Sequence, residues 1–222
     1  MNNIQIVPVA GRNALAELQR LRLEYAATGL YPIILGDEED CERMQELHDD
    51  GEEMEAAAII AESRTIDVQA LLRERRGEFA DMFEQEDGGD GDLAGGMELV
   101  AHLDMGTMQP KETVLLGLLR VAAPWEVFAY LDWGGWNECP FAAEHCAMHR
   151  YWQARHGAEV VCVTADIVQC IVERPPHDRP AALTLAHEQY LYCADIVEQG
   201  TETVGQLADT LVRSPYWYFW WD

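Results

Sequence analysis

The stretch IQIVPVAGRNALAELQRLRLEYAATGLYPIILG, residues 4–36, decides the fold expected for this chain. Its first residues, 4–9, are rich in β-branched side chains and predict a strand. Asn13 is a favourable helix N-cap, and Gly29 can end a helix in the left-handed conformation. Between them, apolar residues recur at helical spacing: Ala14, Leu18, Leu21 and Tyr25. A second apolar run follows at residues 31–35, so the order strand, helix, strand predicts a crossover that pairs the two strands in parallel.

The carboxy-terminal half carries the other sheet and helix signals. Residues 113–121 and 158–164 are apolar on both alternating faces, which is typical of central strands, and residues 167–172 form a further strand candidate. Helical periodicity predicts three helices, over residues 140–155, 180–199 and 203–213. These elements predict an α/β fold, with α+β as the alternative, on a mixed sheet of about five or six strands with helices on both faces.

Six consecutive aromatic residues, 216–221, precede Asp222. Strand alternation would place Trp217, Phe219 and Trp221 on one side, and burial of that side is the expected arrangement. Exposure would instead create a large apolar patch and mark a partner surface. We expect Asn137 or Asp222 to serve as acceptors for buried indole groups.

The net charge of −25, from 40 acidic and 15 basic side chains, excludes nucleic acid and anionic membranes as partners held by a positive field. The acidity is local. Residues 37–55 hold 11 acids and one base, Arg43, and residues 78–92 hold seven acids and no base. Such a surface predicts a basic protein partner.

The chain is expected to form one domain, residues 1–222, with an acidic, partly flexible insertion at about residues 37–110. Inside the insertion, Val68, Leu72 and Phe79 indicate an amphipathic helix. Residues 86–92 resemble a solvated acidic loop more than a calcium loop, because their carboxylates lack EF-hand spacing. The sequence shows neither a signal peptide nor a membrane-spanning run, and six scattered cysteines predict reduced thiols, so we expect a cytoplasmic protein.

Several separated motifs of the carboxy-terminal half occur in a recognisable order. They are GGWNECP at 134–140, YW at 151–152, HGAE at 156–159, AHEQY at 186–190, YCAD at 192–195 and WYFWWD at 217–222. Together they resemble a bacterial family catalogued as a domain of unknown function, the DUF4253 type, over about residues 110–222. The resemblance implies no activity, substrate or cofactor, but it raises the interest of Glu188, Tyr192, Cys193 and Asp195 as residues with a shared role.

The turn from Gly134 to Pro140 is the first candidate site. Pro140 at the first helical position would make Cys139 an N-cap, where the helix dipole lowers a thiol pKa and favours a nucleophile. The alternative is a small residue that closes a turn. The adjacent residues Trp136, Asn137 and Glu138, together with Tyr192, are candidate ligand- or partner-binding residues.

Two further constellations could carry chemistry. His145 and His149 are spaced i, i+4, as in metal-binding helices, and Cys139 or Cys146 could complete a zinc set. The alternative is a pair of core histidines, because His145 shares its helix face with apolar residues. Glu188, Tyr192 and Asp195 fall on one face of the helix predicted over residues 180–199. They could form an acid/base or metal-carboxylate site, or they could be the solvated face of that helix.

Two function hypotheses follow from these residues. The first is a non-catalytic binding or regulatory module of immunity type, whose acidic surface meets a basic partner. The second is a small hydrolase or transferase with a cleft near residues 134–140, using Cys139 or the pair Glu188 and Asp195. The residues identify no cofactor and leave the oligomeric state open.

Overall fold

The computed structural model describes residues 4–48, 54–78 and 98–222. The strands are β1 Ile4–Ala10, β2 Tyr31–Ile34, β3 Thr113–Leu119, β4 Ala158–Val163, β5 Ile167–Val172 and β6 Tyr216–Trp220. The helices are α1 Ala14–Thr28, α2 Glu38–His48, α3 Ala56–Ser63, α4 Val68–Glu78, α5 Val127–Leu131, α6 Ala142–His156, α7 Arg179–Tyr192 and α8 Val204–Leu211. Short 3-10 turns lie at Gly11–Asn13 and Pro124–Glu126, and a π-helical turn lies at Ile196–Thr201.

The six strands form one mixed sheet in the order β1-β3-β2-β4-β5-β6. The α/β fold with a mixed sheet is confirmed. The pair β2–β4 is parallel, with Ile34 opposite Cys162, and every other neighbouring pair is antiparallel. The sheet therefore has one parallel junction, and the carboxyl ends of β2 and β4 meet at the same edge.

The predicted direct pairing of β1 with β2 is wrong. The two strands do run in the same direction, but β3 lies between them and is antiparallel to both. The physical reason lies in burial. β3 is apolar on both faces and takes an inner position, whereas β1 is half-exposed and contains Pro8, which a sheet edge tolerates.

Both faces of the sheet are covered, as predicted. On one face, helices α3 to α8 pack over a large core that contains Ile33, Leu119, Trp152 and Phe219. On the other face, α1 supplies Ala14 and Leu18, and the segment at Leu99 and Ala101 lies beside them. Residues next to each other in β2, such as Ile33 and Ile34, enter different cores, so the strand is buried on both sides.

The terminal aromatic strand is buried as expected, because Trp217, Phe219 and Trp221 are each at most 2% exposed. The expected acceptors for the indole groups are not used. Asn137 donates its side-chain amide to the Asp222 carbonyl, at 2.6 Å. Among the described residues the indole N–H groups of Trp217 and Trp221 have no acceptor.

Two predicted helix boundaries are wrong. The helix predicted from residue 140 begins at Ala142, with Phe141 as its N-cap, and Glu144 accepts the Phe141 N–H at 3.1 Å. The helix predicted over residues 180–199 ends at Tyr192, because Cys193 is extended and its thiol donates to the Trp220 carbonyl at 3.0 Å. A hydrogen bond therefore joins Cys193, the C-cap residue of α7, to Trp220 at the end of β6.

The amphipathic helix predicted around Val68 and Leu72 is α4, and both side chains are buried. Phe79 and residues 86–92 lie outside the described residues. Within the described parts of the chain, every helix is too short or too polar to cross a membrane.

Candidate functional site

An open cleft lies at the edge of the sheet where β2 and β4 end. We call it the acidic cleft; its volume is about 430 Å³. Its charged and aromatic lining consists of Asp37, Glu39, Asp40, Arg43, Asp104, Lys111, Asp166, Tyr218 and Trp220. Asp37 follows β2, Asp166 follows β4, and Trp220 ends β6 opposite Ile167. Crevices outside the carboxyl ends of parallel strands are a common place for ligands in open α/β sheets.

Lys111 fixes one end of the acidic cleft. Its Nζ lies 2.8 Å from Asp37 and 2.5 Å from Asp40. The two aspartates also cap the first turn of α2, since each accepts the backbone N–H of the other, at 2.9 and 3.0 Å. Burial opposes the charge on Lys111, yet the hydrogen bonds that Lys111 donates to both carboxylates raise its pKa above the ordinary value. This lysine is a charged structural part of the cleft.

Arg43 and Asp166 form a second ion pair across the acidic cleft, at 3.1 Å. Asp166 also accepts the Thr164 hydroxyl at 3.3 Å. Tyr218 and Trp220 project from the outer face of β6, where alternation turns Phe219 into the core. Burial and the nearby Asp166 raise the pKa of Tyr218, so its hydroxyl stays protonated. The cleft therefore combines aromatic rings with an excess of carboxylates.

Gln169 on β5 holds the segment that forms another wall of the acidic cleft. Its side-chain oxygen accepts the backbone N–H groups of Val100, at 2.9 Å, and Ala101, at 3.1 Å. Its amide nitrogen donates to the Glu98 carbonyl at 2.8 Å. One buried side chain thus makes the bonds that a neighbouring strand would otherwise make.

Two further clefts are described. One, of about 490 Å³, shares Asp37, Glu39 and Lys111 with the acidic cleft and extends it toward Glu112. The other, of about 560 Å³, lies beside the start of β4, where two arginines, Arg22 and Arg174, pair with Glu159 and Glu173. None of the three clefts is lined by a residue of the 134–140 turn. The cleft that we predicted at that turn is therefore not among them.

A second polar cluster lies inside the core between α6, α7 and the sheet. It is a chain of five side chains that we call the histidine–tyrosine network: Cys139, His145, Tyr192, His149 and Cys170. The Tyr192 hydroxyl lies 2.5 Å from His145 Nδ1 and 3.0 Å from His149 Nε2. A thiol lies at each end of the network. The Sγ atom of Cys139 is 3.4 Å from His145 Nε2, and the Sγ atom of Cys170 is 3.7 Å from His149 Nδ1.

Aromatic rings seal the histidine–tyrosine network. Phe128 packs against both imidazoles, with ring centroids 4.9 Å from His145 and 4.8 Å from His149. Both histidines are fully buried. Burial lowers the pKa of His149 to about 3 and holds that of His145 well below its usual range. Both imidazoles are therefore neutral at pH 7.

Two neutral imidazoles and one hydroxyl allow the hydrogen bonds to run in either of two directions, and the Pro140 carbonyl selects one of them. The Pro140 carbonyl favours a proton on His145, and we assign it to Nε2 because Cys139 and Pro140 lie on that side. Nδ1 of His145 then accepts from Tyr192, whose oxygen accepts from His149 Nε2. His149 Nδ1 accepts the Cys170 thiol proton. Every member of the network is satisfied.

The N-cap position expected for Cys139 is wrong, and its catalytic role stays a prediction. Cys139 lies two residues before the N-cap of α6, so it does not occupy the helix terminus. It is 4% exposed, and burial raises the pKa of its thiol instead of lowering it. The proline that suggested an N-cap at Cys139 lies in the turn before the helix.

The proposed carboxylate pair is not assembled either. Glu188 on α7 accepts the Tyr151 hydroxyl at 2.7 Å and the Trp152 indole N–H at 3.0 Å. Asp195 lies beyond the end of α7, where it accepts from Gln199 and from the backbone N–H of Asp222. Among the described residues the two carboxylates share no hydrogen-bond partner.

His145 and His149 do share a helix side, and the structure brings Tyr192 between them. Among the described residues no group of three or more metal-ligating side chains is assembled, at these histidines or elsewhere. Trp136 packs edge-on against Trp133, while Asn137 and Glu138 are exposed on the turn. These three residues and Tyr192 remain predictions as ligand contacts.

Sequence reasoning missed the acidic cleft as a site. It gave no role to Asp166, Lys111 or Tyr218. One signal was available, since Asp37 and Asp166 each follow an apolar run that reads as a buried strand. The parallel pairing of β2 with β4, which brings the two aspartates to one edge, has no local signal.

The fold and these two clusters define an α/β protein with an open acidic cleft at the sheet edge and a closed polar network in its core. Residues 115–222 match the model of the family described as Domain of unknown function (DUF4253), and this segment is a DUF4253-type domain. The resemblance noted in the sequence is confirmed over that range. No curated protein and no solved structure gives a significant match to the chain.

The matched segment begins inside β3 and contains β4, β5 and β6. It supplies the whole histidine–tyrosine network. The acidic cleft is divided: Asp166 and Trp220 belong to the matched segment, whereas Asp37, Arg43 and Lys111 precede it.

Proposed function

We propose that the protein is a cytosolic, non-catalytic binding or regulatory module of immunity type, whose acidic cleft receives a positively charged group of a basic protein partner. One observation carries this proposal. Among the described residues that line the cleft, five carboxylates face two bases, and both bases are already paired within the chain. Glu39 is exposed at the cleft and Asp104 is exposed at its rim, so charge is left for a partner.

The charge of the whole chain supports the same proposal. A net charge of −25 attracts a basic partner over a long range and accelerates its association, and the cleft then selects its orientation. Six cysteines that are all free thiols suit a reducing compartment such as the cytosol.

Binding to proteins encoded beside this gene tests the proposal. Each purified neighbour is titrated into the full chain at about 0.1 M and about 1 M ionic strength, where the Debye length is about 10 Å and about 3 Å. The cleft variant is the double substitution Glu39→Gln with Asp104→Asn. Its matched control is Glu62→Gln with Glu74→Gln, which removes two exposed charges from α3 and α4.

We expect a basic neighbour to bind in low salt, to weaken about tenfold or more in high salt, and to weaken about threefold to tenfold for the cleft variant only. Binding that ignores salt, or that falls equally for the cleft and control variants, would overturn the cleft as the recognition surface.

A second candidate function is a small hydrolase or transferase that uses Cys139. It is favoured by the 3.4 Å contact between the Cys139 thiol and His145 Nε2, with Tyr192 orienting the imidazole, which is the arrangement of an activated nucleophile. The burial of this thiol and the protonation of the imidazole oppose an enzymatic function. The thiol is buried, its pKa is raised, and His145 Nε2 already carries its proton in the assignment above.

Thiol labelling separates the two functions. Iodoacetamide is applied to the folded protein across pH, and the labelled cysteines are located by mass spectrometry. For the binding module we expect half-buried Cys41 to react faster than Cys139 at every pH. A Cys139 that reacts first, with a step well below the ordinary thiol pKa of about 8.5, would show an activated nucleophile and favour the enzyme over the binding module.

A further inference from the structure

The acidic cleft holds two cations of the chain itself, and they are held differently. Lys111 contacts two carboxylates, at 2.8 and 2.5 Å, and its side chain is 18% exposed. Arg43 contacts one carboxylate, Asp166, at 3.1 Å, and its side chain is 52% exposed. The lysine is built into the cleft, whereas the arginine lies over it from α2.

A single exposed ion pair of this kind is weakly held. Exposed pairs contribute about 0.2–1 kcal/mol, because two long side chains lose freedom and water screens the attraction. Residues 37–55 contain 11 acidic side chains and a single basic one, Arg43. Its guanidinium can therefore leave Asp166 at little cost, while Lys111 and its two aspartates stay in place.

We propose that the acidic cleft is a guanidinium site, in which an arginine side chain of the basic partner replaces Arg43 at Asp166. This inference rests on the proposed function and names the group that the cleft takes. Arg43 is then an internal competitor that occupies the site in the free protein.

The lining favours a guanidinium over an ammonium group. Tyr218 and Trp220 line the same cleft as Asp166, and a planar guanidinium can stack on an aromatic ring while it donates to a carboxylate. The compact ammonium group of a lysine is more strongly hydrated and gains less from the rings. Arg43 itself shows that a guanidinium fits in front of Asp166.

Fluorescence anisotropy with two labelled peptides, identical except that one contains arginine and the other lysine between glycines, tests this inference on the full chain. The variants are Arg43→Ala and Asp166→Asn. The control is Arg20→Ala on α1, because Arg20 is also 52% exposed and ion-paired, to Glu17 and Glu24, and its loss changes the net charge equally.

We expect Arg43→Ala to bind the arginine peptide about twofold to fivefold more tightly than the natural chain, which is the release of one exposed ion pair. Asp166→Asn should weaken the same peptide, and Arg20→Ala should leave it unchanged. The lysine peptide should bind less tightly and gain less from Arg43→Ala.

Equal gains for Arg43→Ala and Arg20→Ala, or equal gains for the two peptides, would overturn the guanidinium site. Failure of the proposed function has a different signature. In that case neither peptide responds to the cleft variant Glu39→Gln with Asp104→Asn, whatever stands at position 43.

Discussion

The acidic cleft and the histidine–tyrosine network are both polar clusters on the same sheet, and they differ in what their hydrogen bonds leave unsatisfied. In the network, His145 and His149 are fully buried and each member has a partner. In the cleft, Arg43 is half-exposed and carboxylates outnumber bases. A buried network whose hydrogen bonds are all satisfied adds to stability and leaves a ligand no free polar group. An open cleft with an excess of carboxylates adds little stability and, in the proposed function, attracts a partner.

The two clusters also differ in how they relate to the segment that matches the family. The residues of the histidine–tyrosine network lie within the motifs that resemble the family or between them. They contact one another inside the core. The acidic cleft is lined by residues from the segment before the family match and from the matched segment 115–222. A partner bound in the cleft would therefore contact both segments.

The largest expected effect is on the network. Tyr192→Phe removes the one hydroxyl that both histidines contact and leaves two buried ring nitrogens without partners. We expect a loss of about 2–4 kcal/mol in the free energy of unfolding, measured by urea denaturation. The control is Tyr130→Phe, at a half-buried tyrosine whose hydroxyl makes no side-chain hydrogen bond within the described residues. Similar losses for the two variants would show that the network has no special role in stability.

The wall of the acidic cleft should be the next most sensitive place. Gln169→Leu keeps the volume but leaves the N–H groups of Val100 and Ala101 without their acceptor. We expect a loss of about 1–2 kcal/mol, faster hydrogen exchange at both amides, and weaker binding of a basic partner. Gln5→Leu on the exposed strand β1 is the matched control. A Gln169→Leu chain that binds as tightly as the natural one would show that the wall does not shape the cleft.

Local signals predicted much of the fold. The strand, helix and strand of residues 4–36 carry their own periodicity and caps, and Gly29 takes the left-handed conformation at φ 66°. The terminal strand shows its buried side by alternation. The position of β3 between β1 and β2 was not predictable in this way, because strand order depends on which strand gains most from burial on both faces.

The candidate sites show the same limit. The spacing of His145 and His149 placed them on one helix side, and Tyr192 stood out separately, but only the packing of α6 on α7 brings its hydroxyl between them. Burial raises the pKa of the Cys139 thiol, and the sequence Cys139-Pro140 gives no indication that the thiol is buried. The cleft needs Asp37, Asp166 and Trp220 from three distant stretches, and its assembly depends on sheet order.

The pH dependence of stability gives a smaller, sharper test of the network. His149 has a folded pKa of about 3 against an ordinary value of 6.5, so the unfolded chain binds more protons below pH 6.5 and stability is lost as pH falls toward 3. Between about pH 6 and pH 5, where most carboxylates stay ionised, the natural chain should lose about 1 kcal/mol more than His149→Gln, which cannot titrate. Denaturation curves at both pH values measure this difference, and parallel losses would contradict a neutral, buried His149.

The smallest expected effect on stability belongs to the acidic cleft, and it separates the two clusters most directly. Glu39 is exposed and makes no ion pair among the described residues, so Glu39→Gln should change the free energy of unfolding by less than about 0.5 kcal/mol. Two small effects oppose each other: Glu39 lies in the first turn of α2, where a negative charge favours the helix, and its removal relieves repulsion in a chain of net charge −25. Binding of a basic partner should nevertheless weaken, and Glu62→Gln, which also removes one exposed negative charge, should leave that binding unchanged. If Glu39→Gln instead destabilises the chain as Gln169→Leu does, the cleft carboxylates hold the fold together, and the division between a cluster for stability and a cluster for binding fails.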